Sequence, residues 1–338
     1  MNKISFKHVL QVLLPFCLGI GIIGWIYRDL DFDEVWDVLK TQTKWSWMIA
    51  SLFFGLLSHI IRGLRWVLAL EPLGVKPKKS NAIYAIFTSY AVNLVVPRLG
   101  EFTRCGVLSK YDGISFSKSF GSVVAERMVD SFCAILILVL AVILQGGYFI
   151  NFFNETGFVI PYEDLLKSKF FYLSLLGIIG VVGVLFFFVR KLALMGRIKR
   201  ILINMWEGMI ALVKMKNGGL YILFSVLIWS CYFLHFYLTF FCFPFTSDLG
   251  PLAGLALFIV GSFAVVVPTP NGAGPWHFVV ITLMTIYGIS TANAGIFALI
   301  VHTIQSFLVV LLGTYGFVAL PLSNKKLLNN EDNTSFKS

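Results

Sequence analysis

Eight ionisable side chains fall where ionisable side chains are rare. Arg62, Arg65, Arg98, Glu101, Arg104, Glu126, Arg127 and Asp130 all lie inside or at the edge of apolar runs. A charge at the centre of a bilayer costs at least ~2.5–3.5 kcal/mol, so an apolar segment keeps one only where a partner or ligand compensates it. Spacing says which of them can act together. Arg62 and Arg65 are three residues apart, with His59 three before, so on a helix all three share a face. Glu126 and Asp130 are four apart, and Arg127 is three from Asp130. The simplest assembly pairs Glu126 and Asp130 with arginines from other segments inside a bundle. Arginines still outnumber acids: Arg62, Arg65, Arg98, Arg104 and Arg127 stand against Glu101, Glu126 and Asp130. The planar guanidinium binds phosphate at two points, so the surplus calls for an anion, and in a bilayer a lipid phosphate is the natural one. The plainer alternatives are arginines that snorkel to the headgroups and Arg–Asp pairs that only hold helices together.

The elements that must position these residues follow from composition. The chain has 338 residues, 58% hydrophobic and 13% charged, with 33 phenylalanines. Soluble domains carry about a quarter charged residues. Apolar runs near the ~20 residues that cross a hydrocarbon core recur along the sequence. The fold class is therefore an all-α integral membrane protein. It is a polytopic bundle of about six to eight membrane helices with two broken or re-entrant segments, an arrangement that allows an inverted repeat. A single domain covers residues 1–338, with its membrane core at 7–322 and a tail at 323–338.

Apolar segments fall at 9–27, 45–70, 82–97, 118–145, 170–189, 220–241, 250–268, 275–288 and 294–317. The first is too long for a signal-peptide core and is expected to be retained. Residues 190–217 place Arg190, Lys191, Arg197, Lys199 and Arg200 beside apolar residues at helical spacing, as in a basic amphipathic helix on the cytoplasmic face. The aromatic stretch 146–167 is expected as an outer loop. The net charge of +10 sits between the apolar runs, which fits the positive-inside rule and argues against nucleic acid. Both termini are then cytoplasmic, in the inner membrane of a bacterium. Cys17, Cys105, Cys133, Cys231 and Cys242 are scattered without metal or disulfide spacing. No nucleotide-binding or hydrolase motif is present, so no cofactor, metal or ATP-driven step is expected.

Two segments break in similar ways, half a chain apart. VVPRLGE holds Pro97 and Gly100; VVPTPNGAG holds Pro268, Pro270, Gly272 and Gly274. Corresponding interruptions in two halves point to a midplane site in transporters built from repeats. A broken helix frees backbone N–H and C=O groups that hydrocarbon cannot satisfy, so such breaks must be buried or line a wet cavity. His235, His277 and His302 read as core histidines. His277 is the most suggestive of them because it directly follows the second break, and Gln305 can tie helices together.

Three motifs in order carry a family resemblance: N-x-x-x-P-R-L-G-E-x-x-R from Asn93 to Arg104, A-E-R-x-x-D from Ala125 to Asp130, and P-x-P-N-G-x-G from Pro268 to Gly274. The chain resembles, from about Lys7 to Leu322, the transmembrane region of lysylphosphatidylglycerol synthase/flippases, the multiple peptide resistance factors, and related stand-alone flippase-like proteins. The resemblance implies a lipid translocase that moves an anionic or aminoacylated phospholipid, or a related lipid phosphate, between leaflets. Its partners are then membrane lipids, with a homo-oligomer or a separate lipid-modifying enzyme allowed. The soluble aminoacyl- or glycosyl-transfer domains of longer relatives do not fit in this chain, so enzymatic activity is not expected. Motif position makes Arg98, Glu101, Arg104, Glu126, Arg127 and Asp130 the polar centre. The reading assigns Arg62, Arg65, Arg98, Arg104 and Arg127 to a lipid headgroup, and Glu101, Glu126, Asp130 and His277 to orienting them or carrying a proton. Asn271 stands where relatives carry a glycine, and Trp276–His277 near where they carry a glutamate, which leaves the lipid open. The alternative is an intramembrane enzyme or carrier acting on a phospholipid or polyprenyl-phosphate headgroup.

Overall fold

The computed structural model describes residues 17–28, 30–156, 203, 206, 207 and 215–325. Among them, α1 (Cys17–Ile26) and the short α2 (Phe32–Asp37) precede α3 (Trp45–Leu70). Then come α4 (Lys79–Val95), α5 (Gly100–Asp112) and α6 (Phe116–Thr156). After residue 215 follow α7 (Gly218–Tyr237), α8 (Pro251–Ala264), α9 (Pro275–Ile286) and α10 (Thr291–Ser323). The described residues contain no strand. Among the described residues, four helices are long and apolar enough to cross a membrane: α3, α6, α7 and α10. The chain is an all-helical, multi-pass membrane protein. The expected span at 170–189 and the tail from 326 lie outside the described residues, as do most of 190–217 and the start of the first span.

The two ends of the bundle differ in charge. Lys78 N–H donates to Asp112 Oδ1 (3.0 Å) and its Nζ to Asn324 Oδ1 (3.1 Å), which gathers the ends of α4, α5 and α10. Asn217 Nδ2 reaches Glu71 (3.4 Å), bringing the start of α7 to the end of α3. Lys76, Lys78, Lys79, Lys110, Lys118 and Lys216 sit in this basic face. At the opposite face Lys44 N–H donates to Cys242 O (2.8 Å), near Asp31, Asp33, Glu34 and Asp37 and the exposed Trp25, Trp36, Trp45 and Trp47.

Between these faces the two broken segments fold as helical hairpins, α4–α5 entering from the basic side and α8–α9 from the acidic side. In the first, Pro97 removes an N–H and pushes Val96 into an extended conformation (φ −130°, ψ 105°), ending α4. Arg98 then turns through a left-handed φ of 68°. Gly100 starts α5 so close to α4 that a Cβ would stand 2.7 Å from Asn93 Nδ2 and inside contact with the Ser89 carbonyl. In the second, Asn271 (φ 51°), Gly272 (72°) and Gly274 (92°) carry the turn, and Pro275 opens α9 where a missing N–H is harmless. The tips meet: Arg98 Nη2 donates to Val266 O at 2.8 Å. Two hairpins entering from opposite faces are what an inverted repeat requires.

One boundary differs from expectation. The outer loop expected from residue 146 is still helix, because α6 continues to Thr156. Gly146 and Gly147 each weaken a helix by about 1 kcal/mol relative to alanine, but with no proline before Pro161 they do not end it.

Candidate functional site

The spacings read from the sequence act across the bundle. Helix α3 turns Arg62 and Arg65 towards Glu126 and Asp130 of α6. Arg62 Nε meets Glu126 Oε1 at 3.1 Å and its Nη2 meets Asp130 Oδ2 at 2.7 Å. Arg65 Nη2 is shared between Glu126 Oε1 (3.1 Å) and Asp130 Oδ1 (2.7 Å). From α5, Arg104 Nη1 reaches Glu126 Oε2 at 3.1 Å, with its guanidinium over the Trp66 ring. Arg127 Nη2 completes the set, at 3.1 Å from Glu126 Oε1 and 2.9 Å from Asp130 Oδ2. Four arginines thus share two carboxylates, and Glu126 touches all four.

The four are not equivalent. Arg62 is saturated, since its Nη1 also donates to the hydroxyls of Tyr90 and Tyr232, both at 2.8 Å. Arg65 is fully buried and donates to Ser225 Oγ (3.0 Å) beneath the Tyr221 ring. Arg65 and Arg127 each leave Nε without a partner, and the buried Arg104 leaves both Nε and Nη2 without one. The Arg127 side chain is 40% exposed, against 14% for Asp130 and none for Glu126. Four arginines against two carboxylates leave two surplus positive charges in the cluster, and of the four Arg62 and Arg127 line the cavities beside it.

Two cavities adjoin there. The first, about 530 Å³, is walled by Arg62, Asp130, Arg127, Trp229, Tyr232 and Gln305, among others. The second, about 580 Å³, lies between the hairpin tips and is lined by Asn93, Arg98, Glu101, Arg127, Pro268 and Asn271, among others. Both touch Tyr90, Arg127, Ser262 and Asn271. Arg127 lies eleven residues along α6 from Phe116, about 16 Å at 1.5 Å per residue, near the middle of a ~30 Å hydrocarbon core. Along α6 the second cavity reaches back to Phe120 on the basic side and the first reaches on to Ile135. The two therefore stand in series across the bilayer, joined at Arg127.

The remaining sequence-derived residues fall into place around this frame. Arg98 and Glu101 line the second cavity, outside the ion cluster, and Glu101 Oε2 is buried without a partner. Pro97, Pro268 and Gly272 line the same cavity, Gly100 sits buried at the start of α5, and Pro270 and Gly274 shape the second turn. His277 lines neither cavity. Its Nδ1 accepts the Gly274 N–H (3.2 Å), and its ring lies against His302 at 4.4 Å. His302 Nε2 donates to Asn271 O (3.1 Å), and Asn271 Nδ2 donates to Ser306 Oγ (2.8 Å). Gln305 Nε2 donates to His235 O (2.9 Å), joining α10 to α7. Among the described residues no cluster of His, Cys, Asp or Glu could hold a metal ion.

Sequence reasoning missed Tyr90, Tyr232, Ser225 and Asn93. The first three meet the arginines only through long-range packing and have no local signature. Asn93 had one: it opens the quoted first motif, and its Oδ1 accepts the Gly100 N–H at 2.7 Å, capping α5.

The sequence matches the family model described as the lysylphosphatidylglycerol synthase TM region over residues 12–313. It is 25% identical over 332 residues to a UPF0104 membrane protein of Methanothermobacter thermautotrophicus, covering 93% of this chain and 96% of that protein. A UPF0104 membrane protein of Methanocaldococcus jannaschii is 28% identical over 183 residues, which is 53% of this chain and 50% of that one.

Proposed function

This chain belongs to the lysylphosphatidylglycerol synthase TM-region family, and on that premise we propose that it is a lipid translocase. It moves an anionic or aminoacylated phospholipid, or a related lipid phosphate, between leaflets. The observation that carries this reading is the pair of cavities in series, joined at an arginine cluster with two surplus positive charges. A phosphate at Arg127 offsets that surplus, with Arg98 further along the wall of the second cavity; Arg104 is buried against Glu126 and lines neither cavity. Arg62 and Arg65 are committed to Glu126 and Asp130, so their part is to hold the site rather than the lipid. A charge-assisted hydrogen bond in such a site contributes about 1.5–3 kcal/mol. Replacing Arg127 with Gln is therefore expected to slow translocation about 10–100-fold while leaving the fold intact.

The basic face is placed in the cytoplasm by the charge rule. The location we propose is the cytoplasmic membrane of a bacterium; the two relatives described above are archaeal. A second reading is favoured by Glu101 alone, a carboxylate oxygen without a partner in the wall of the arginine-lined cavity. There it could act as an acid or base on a bound headgroup. Reconstitution into liposomes with a tagged phospholipid separates the two. Redistribution of unaltered lipid supports translocation. A chemically altered lipid by mass spectrometry, with no change in leaflet, overturns it in favour of an enzyme.

A further inference from the structure

We propose that the first cavity selects the substituent carried by the phosphate, and that it takes a neutral, hydroxyl-rich group, a sugar or cyclic polyol, over a cationic aminoacyl one. The proposal rests on the phosphate reading of Arg127 and names the substrate class which that reading leaves open.

Four polar atoms in side chains that wall this cavity have no partner among the described residues, and they come from three helices. From α3, His59 is 8% exposed and its Nδ1 is buried without a hydrogen bond. From α7, the Trp229 Nε1–H is buried in the same state. His235, six residues further along α7, donates through Nδ1 to Ser51 O at 2.7 Å, so in the neutral ring Nε2 is left as an acceptor. From α10, Gln305 spends Nε2 on His235 O and keeps Oε1 as an acceptor. A buried polar group left unpaired is costly, and this wall holds both donors and acceptors. A hydroxyl meets both needs from one atom, whereas an ammonium only donates.

The rest of the wall supplies the apolar half of a sugar site. Trp229 stands edge to face with Tyr232 at 6.1 Å and 83°, and the Tyr90 ring lies 4.4 Å from that of His59. The C–H faces of a sugar ring pack on such aromatic surfaces while its hydroxyls reach the polar atoms between them. At about 530 Å³ the cavity falls within the ~300–1,000 Å³ of small-molecule sites and exceeds what a phosphate alone requires.

Charge decides against a cation. Asp130 is the one acid among the described residues of the wall, and both its oxygens are taken. Its Oδ1 meets Arg65 at 2.7 Å, and its Oδ2 meets Arg62 at 2.7 Å and Arg127 at 2.9 Å. An aminoacyl ammonium here would lie beside two surplus positive charges with no free carboxylate to meet it. A hydroxyl carries no such penalty.

Native mass spectrometry of the full chain, released from phosphatidylcholine nanodiscs doped with one probe lipid at a time, reads the selectivity. The probes are phosphatidylinositol, phosphatidylethanol, which keeps the phosphodiester without a hydroxyl, and the cationic lysylphosphatidylglycerol. Phosphatidylinositol is expected to be retained about tenfold above phosphatidylethanol, the equivalent of one hydrogen bond, and lysylphosphatidylglycerol below it. Trp229→Phe and His59→Phe each keep a ring and remove nitrogen with no hydrogen-bond partner among the described residues. Each is expected to bring the ratio of phosphatidylinositol to phosphatidylethanol towards one. A ratio near one in the unmodified protein, a ratio that neither variant moves, or lysylphosphatidylglycerol retained above phosphatidylinositol overturns the subsite. If phosphatidylethanol is retained above phosphatidylcholine but phosphatidylinositol gains nothing, the subsite falls alone. If no probe is retained above phosphatidylcholine, or Arg127→Gln leaves phosphatidylethanol retention unchanged, the phosphate reading falls and takes the subsite with it. Glucose 1-phosphate added to the same nanodiscs distinguishes the source: phosphatidylinositol that stays bound supports a lipid headgroup, and displacement at equal concentration overturns it in favour of a soluble sugar phosphate.

Discussion

The two hairpins meet tip to tip, yet opposite kinds of force hold them. The α4–α5 hairpin is anchored by charge: Arg104 of α5 pairs with Glu126, and Asp112 at its base accepts from Lys78 and Asn81. The α8–α9 hairpin is anchored by neutral groups, through the Asn271 amide, the His302 and His277 rings and the Ser306 hydroxyl. Its turn buries its polar atoms against α10, whereas the first turn exposes Arg98. The difference assigns the labour. The first hairpin presents charge to a ligand and is tied to the cluster that would hold it. The second supplies a rigid wall and freed carbonyls such as Val266 O. A bundle with two opposed hairpins has put its chemistry in one of them.

The change that should break this asymmetry most severely is Glu126→Gln. It removes the carboxylate that touches four arginines, leaving Asp130 as the cluster's acid and Arg104 without an ion partner. Stranding buried charge in this way costs about 3–5 kcal/mol. We expect loss of stable protein on extraction and a collapse of the thermal transition in detergent; an unchanged transition would mean that packing, not charge, anchors the first hairpin. Gly100→Ala comes next. The added methyl meets Asn93 and the Ser89 carbonyl, where α4 and α5 touch, and overpacking of that kind costs about 1–3 kcal/mol. Thermal unfolding together with amide exchange at residues 96–104 reads it, and faster exchange confined to the first tip sharpens the comparison. Ser306→Ala is expected to be milder, about 1–2 kcal/mol for its two neutral hydrogen bonds, with Asn271 and with His302 Nδ1, and with faster exchange at residues 269–274 alone. Exchange that rises equally at both tips would show that the hairpins are not held independently.

Much of this frame was legible in the sequence because it rests on local rules. The i,i+3 pair Arg62–Arg65 and the i,i+4 pair Glu126–Asp130 each fix a helix face, and the buried carboxylates leave the arginines few other partners. Pro97 and Pro268 mark where helices must stop, and the sequence alone places both breaks. What could not be read was which arginines are saturated. That depends on Tyr90 and Tyr232, which reach Arg62 from α4 and α7 and have no spacing that links them to it. Nor could Arg98 be separated from the ion cluster, since six residues along the chain put it at the tip of a hairpin and Arg104 one and a half turns inside.

The smallest expected effect tests the second tip at Asn271. The family resemblance implies glycine there, and the backbone at this position accommodates asparagine as well. At φ 51° a side chain costs about 1 kcal/mol that glycine does not, and asparagine is among the residues that bear it best. Asn271 recovers a similar amount through its hydrogen bond to Ser306 Oγ, worth about 1 kcal/mol. The two effects oppose, so Asn271→Gly should leave the thermal midpoint almost unchanged. Asn271→Ala, which keeps the strain and loses the bond, should be lower by about 1–2 kcal/mol. His302 keeps its bond to the residue 271 carbonyl in both variants, so the turn itself should survive. If glycine proves as damaging as alanine, the amide does more than offset backbone strain. Asn271, which lines both cavities, would then join the residues of the first hairpin as a candidate for contact with the ligand.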